Sequence, residues 1–190
     1  RNDKTRRRVL AMCSYCGCRS ISLVGRFMDE HEDIVNAAGI LHRASDGTDS
    51  HGVRESLEDT ITLLHPHTTA EEQGMFAVLR RNPDFTDHVD VLCAEHAALD
   101  EMAERIRSGE TELIDRFVSE LRDHINKEEN GLFPAAAIEM DGPDWEEAIT
   151  LTPGGVAHPH GGPDHAHEAD HTHAPEHAYG ADHDHAAHTN

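Results

Sequence analysis

The chain has 190 residues, with 16 Lys+Arg against 37 Asp+Glu for a formal net charge of −21, 18 histidines and only 4% aromatic residues. That length accommodates one domain of ordinary size with tails. The acidity excludes a phosphate-gripping nucleic-acid surface, and no apolar run reaches the roughly 18 residues of a membrane span; the excess of imidazole and carboxylate points to metal instead.

Residues 1–20 form a basic arm. Seven basic residues precede residue 27 against the single acid Asp3. The run Arg6-Arg7-Arg8 is followed only by Val9–Met12 before Cys13. This falls short of the roughly 7–15 apolar residues of a secretion signal, and Met12 is not the small residue that precedes a lipoprotein cysteine. The expectation is a cytoplasmic protein with reduced cysteines, and Met12 is a candidate natural start. Cys13-x2-Cys16-x-Cys18 offers three thiolates for a zinc or iron site completed by Cys93 or a histidine. The same thiols, lowered in pKa by neighbouring arginines, suit redox chemistry. The competing reading is a mobile basic segment, with Cys93 a small buried residue.

Residues 21–150 read as one domain of four amphipathic helices. The first stripe is Val24, Phe27, His31, Ile34, Val35, Ala38 and Leu41; the second is Leu57, Ile61, Leu64, His67, Glu71, Met75 and Val78. The third is Phe85, Val89, Leu92, His96, Leu99, Ala103 and Ile106; the fourth is Leu113, Phe117, Leu121, His124, Glu128 and Leu132. All four keep the helical period. Ser45–Ser50, Asn82-Pro83 and Ser108-Gly109 supply the breaks, and Pro66 predicts a kink or break in the second helix. Short connections predict an all-α, up-down-up-down four-helix bundle. Residues 151–190, rich in His, Asp and Gly, hold ten histidines, eight of them in His-x-His pairs, and no Lys or Arg. This composition predicts a disordered tail, either a labile site for iron, nickel, copper or zinc or a solvating segment.

The domain contains a repeat. His67-x3-Glu71-Glu72-x-Gly74-Met75-Phe76 aligns with His124-x3-Glu128-Glu129-x-Gly131-Leu132-Phe133, and Glu30-His31 and Glu95-His96 lie upstream of each copy. The predicted domain is therefore two copies of one helical hairpin. His31, His67, Glu71, His96, His124 and Glu128 all fall on apolar stripes. A carboxylate buried there costs several kcal/mol unless it is paired or binds a cation. Arg80, Arg105, Arg107 and Arg122 lie mostly off those stripes. His at i and Glu at i+4 share one helical face, so each copy can serve one site. Two facing copies place both carboxylates between two metals, and mixed imidazole and carboxylate donors suit iron ahead of manganese or zinc. The competing reading places these residues, partly exposed, at helix ends.

On these residues, and on Gly-Leu-Phe-Pro at 131–134, the chain resembles the hemerythrin-like, or HHE cation-binding, family. The resemblance implies a non-haem di-iron centre, oxo- or hydroxo-bridged, with Glu71 and Glu128 as bridging ligands. It further implies binding and reaction with, or sensing of, dioxygen, peroxide or nitric oxide. One departure stands out. Oxygen-carrying hemerythrins have two histidines one turn apart on the third helix, whereas here Leu92 and Asp100 flank His96. Four histidines leave an open position on each metal, which favours reaction or sensing over simple carriage. His65 is the first candidate for the missing ligand, ahead of His88, Glu30 or Glu95. Competing readings are metal storage or delivery by the bundle and the His-rich tail, a di-iron oxidase or oxygenase on an organic substrate, and a purely structural bundle. If it is an enzyme, it is a di-iron redox enzyme, peroxide-decomposing or of oxidase type. Oligomeric state stays open.

Overall fold

A computed structural model describes residues 17–47 and 50–155. The basic arm with Cys13 and Cys16, and the His-rich segment from residue 156 onward, lie outside the described residues. Among these residues the secondary structure is helical throughout, without strands, and no helix is long and apolar enough to cross a membrane.

A 3-10 turn at Cys18–Ser20 leads into α1 (Ser22–Ser45), followed by α2 (Ser50–Gln73), α3 (Met75–Leu79), α4 (Pro83–Arg107) and α5 (Ile114–Lys127). A π-helical turn at Glu128–Leu132 joins α5 to α6 (Phe133–Glu139), and α7 (Gly142–Leu151) closes the described part. The long helices pack into a bundle, α1 against α2 and α5, and α4 against α2 and α5.

Local chemistry sets the boundaries. The side chain of Asn82 accepts the Asp84 backbone N–H at 3.0 Å and Pro83 opens α4, so one orphan donor is capped and one is absent. Basic Arg105 and Arg107 sit in the last turn of α4, where the helix dipole favours them. Gly109, at φ 118°, then turns the chain. Asp141 and Asp144 form a reciprocal capping box at the start of α7, a helix that the four-stripe reading does not anticipate.

The expected break at Pro66 does not occur: α2 runs through it, and the interruption falls at Gly74. The reason lies in packing. A Cβ on Gly74 would stand 2.0 Å from Oγ1 of Thr152 and 2.8 Å from the Ala70 carbonyl, so the close approach of the segment after α7 requires glycine there. Thr152 is buried, and the carbonyls of Pro153 and Gly155 accept from Arg26, so the packed region reaches past residue 150.

The interior consists of two apolar clusters with a polar layer between them. One holds Val24, Phe27, Met75, Phe76, Val89, Leu92, Leu132 and Phe133; the other holds Ile34, Leu41, Leu57, Leu64, Leu99, Ile106, Phe117 and Leu121. Each fully buried Phe or Leu contributes about 1.5–3 kcal/mol. Along α1, α2 and α4 the change from one cluster to the other falls at a histidine, between Met28 and Ile34, Leu64 and Ala70, and Leu92 and Leu99; along α5 and the π-helical turn it falls between Ile125 and Leu132, around Glu128.

Candidate metal centre

That polar layer is built from His31 on α1, His67 and Glu71 on α2, His96 on α4, His124 on α5 and Glu128 in the π-helical turn, all buried at 3% exposure or less. Helical spacing accounts for the local arrangement: His67 and Glu71, like His124 and Glu128, stand one turn apart on one face. The Nε2 of His31 lies 3.1 Å from Oε2 of Glu128 and 3.8 Å from Oε1 of Glu71. His67 Nε2 lies 3.4 Å from the same Oε1 of Glu71. Across the layer, His96 Nε2 lies 3.5 Å from Oε2 of Glu71 and 3.8 Å from Oε1 of Glu128, and His124 Nε2 lies 3.1 Å from that Oε1.

Two donor sets result. His31, His67, Glu71 and Glu128 form one, and His96, His124, Glu71 and Glu128 the other, the ligand atoms of each lying within 4.8 Å of one another. Each glutamate turns one oxygen to each set.

The opposite nitrogens have different partners. Nδ1 of His31 meets Glu129 at 3.0 Å, Nδ1 of His67 meets Glu30 at 2.8 Å, Nδ1 of His96 meets Glu72 at 2.8 Å, and Nδ1 of His124 meets Glu95 at 3.0 Å. An ionised carboxylate only accepts, so Nδ1 is the donor in each case and Nε2 is directed into the layer. The pattern is twofold: Glu30 and Glu95 hold the histidine of their own hairpin, whereas Glu72 and Glu129 hold that of the other. Phe133 stacks on His31 and Phe76 on His96, with centroids 5.8 and 5.9 Å apart.

Electrostatics sharpen the picture. Burial opposes charge on His31, but contact with Glu128 and the hydrogen bond to Glu129 outweigh it, and its pKa is raised to about 10. The same contest, with Glu71 and Glu128 opposing burial, raises His96 to about 9. Burial pushes the carboxyl of Glu128 up, and the rings of His124 and His31 pull it well below the usual range. No Lys or Arg pairs with Glu71 or Glu128 among the described residues; Arg80, Arg105 and Arg107 are spent on Asp90, Glu110 and Glu58 at the surface.

Metal fits this donor set. Seven buried side-chain atoms have no hydrogen-bond partner: Nε2 of His31, His96 and His124, and both carboxylate oxygens of Glu71 and Glu128. All belong to the two sets, and a cation is the partner that imidazole nitrogen and carboxylate oxygen share.

The other candidates fall elsewhere. His65 is exposed and pairs with Asp100 at 3.0 Å, outside both sets. His88 is exposed, and His42 pairs with Asp115 at 3.2 Å. Glu30 and Glu95 orient histidines from the Nδ1 side. Cys18 is buried in the apolar cluster with Phe27 and Met28, outside both sets. Cys93 receives a hydrogen bond from Arg80 at 3.3 Å, and burial holds its thiol pKa up. Reading the stripes alone missed Glu72 and Glu129 as histidine partners, although the second Glu of H-x3-E-E recurs in both copies.

A helical domain whose buried layer presents two His2Glu2 donor sets is a metal-binding domain. Residues 22–136 match the model of the hemerythrin HHE cation-binding domain, more than half of the chain, and the chain belongs to that family. Comparison with curated proteins and with solved structures finds no match.

Proposed function

We propose that this chain binds two iron ions between Glu71 and Glu128, one also held by His31 and His67 and the other by His96 and His124, and that the centre reacts with or senses dioxygen, peroxide or nitric oxide. The corresponding architecture is an up-down-up-down bundle of two repeated hairpins. The observation that carries the reading is the set of seven unpartnered buried atoms, all on residues of the two donor sets. Two carboxylates buried without a cation would cost several kcal/mol each.

Iron bound there supplies reversible one-electron chemistry toward a small ligand. The chain's own residues do the rest. Glu30, Glu72, Glu95 and Glu129 lock the tautomer and ring plane of each histidine, while Phe27, Phe76 and Phe133 keep bulk water from the rings. Each set offers four protein donors. An ion of about six-fold coordination thus keeps room for a small ligand.

The test is elemental analysis and visible spectroscopy of the full chain after anaerobic reconstitution, beside the Glu71→Leu plus Glu128→Leu variant. That variant retains the His-rich segment and so supplies its baseline. The expected difference is two irons per chain, one for each donor set, with a visible absorption that changes on adding peroxide or nitric oxide. Equal iron in both proteins refutes the reading.

A further inference from the structure

Glu30 and Glu95 occupy equivalent places in the two halves, yet different cations hold them. Nε of Arg26 donates to Oε1 of Glu30 at 2.7 Å, while Oε2 of the same carboxylate accepts from Nδ1 of His67 at 2.8 Å. The guanidinium is anchored from its other side as well. Its Nη1 donates to the carbonyls of Pro153 at 2.9 Å and Gly155 at 2.6 Å, and its Cζ lies 5.7 Å from the Phe27 ring centroid. Phe27 in turn meets His67 edge-on at 5.6 Å.

The second half lacks this arrangement. The repeat places exposed Val91 where the first half has Arg26, and Leu92 where it has Phe27. Glu95 is held instead by the ammonium of Lys127, three residues beyond His124, where the first half has Ala70. The Lys127 side chain is 49% exposed, against 21% for Arg26. A guanidinium bound to two carbonyls and a carboxylate fixes direction, whereas an ammonium on a flexible stem acts more as a point charge. A ligand whose orientation is already fixed loses less freedom when it binds an ion.

We infer that Arg26 and Lys127 are the positioning residues for His67 and His124, and that Arg26 makes the His31–His67 half the one that keeps its ion longer. The inference rests on the metal reading above and goes beyond it by making the two halves unequal.

The test uses the full chain, metal-free and loaded with zinc(II), with the variants Arg26→Gln, Arg26→Lys and Lys127→Gln. One readout is solvent exchange of each imidazole Nδ1–H by nitrogen-15 NMR. The other is the order in which the two zinc ions leave under a chelator, followed ring by ring so that the bundle is separated from the ten histidines after residue 157. Arg26→Gln is expected to speed exchange at His67 about tenfold or more and release from its half about 10–100-fold, leaving His124 unchanged. Arg26→Lys keeps the charge without the anchored fork and recovers only part of the loss. Lys127→Gln acts on His124, by a smaller factor. A uniform shift across all four rings, or equal release of both ions from the unsubstituted chain, overturns the inference. A chain that takes no zinc at Glu71 and Glu128 refutes the metal reading and the order of release with it, whereas Nδ1–H exchange in the metal-free chain still judges Arg26.

Discussion

Glu129 and Glu72 hold equivalent histidines at similar distances, 3.0 Å to His31 and 2.8 Å to His96, but differ in burial. Glu129 is 3% exposed, and the Glu72 side chain is 42% exposed. Glu129→Ala leaves the Nδ1–H of a fully buried ring without an acceptor, and water has no ready path to replace it. The expected loss is about 1.5–3 kcal/mol, the range for a buried hydrogen bond to a charged group. Glu72→Ala opens a site that water already touches, and its cost should be about 0–1 kcal/mol. Urea unfolding of the metal-free full chain, followed by helical circular dichroism, measures both from midpoint and slope. Glu129→Gln should recover most of the loss, since an amide oxygen still accepts the N–H. If Glu72→Ala costs as much as Glu129→Ala, or Glu129→Gln as much as Glu129→Ala, burial of the acceptor is not what distinguishes the two halves.

Gly74→Ala should destabilise the chain by about 1–3 kcal/mol through overpacking against Thr152; the added Thr152→Gly change removes the offending hydroxyl and should return part of that in the same denaturant assay. His65→Ala should leave bundle iron unchanged and stability within about 1 kcal/mol, because its partner Asp100 is also half-exposed; loss of iron on elemental analysis would place His65 at the centre after all. In the metal-free chain His31 and His96 have pKa values raised from 6.5 to about 10 and about 9. A raised value contributes stability that is full below the unfolded pKa and is lost as pH climbs through the folded one. The melting temperature of metal-free protein should therefore fall between about pH 6.5 and 10, where the unfolded chain has released these two protons and the folded chain still holds them. A flat profile over that range would show that the rings are neutral in the folded state.

Helical periodicity alone placed His31, His67, Glu71, His96, His124 and Glu128 on inward faces, because the face of a helix is a local property that repeats every three to four residues. The repeat paired them into two halves for the same reason. What the period could not assign was Glu30, Glu72, Glu95 and Glu129. Each adjoins a stripe residue and so points about 100° away from it, a position that in one helix reads as solvent face. Only the packing of α1 against α2 and α5, and of α4 against α2 and α5, brings those carboxylates to the histidines of neighbouring helices. Burial of Glu129 depends further on the π-helical turn at Glu128–Leu132, which widens the helix where the first half instead breaks at Gly74. The buried layer of imidazole and carboxylate was thus local information, legible along one helix at a time. Its orientation arises between residues 24 to 98 positions apart, and the anchoring of Arg26 on the carbonyls of Pro153 and Gly155 between residues 127 and 129 apart, so only the folded chain decides them.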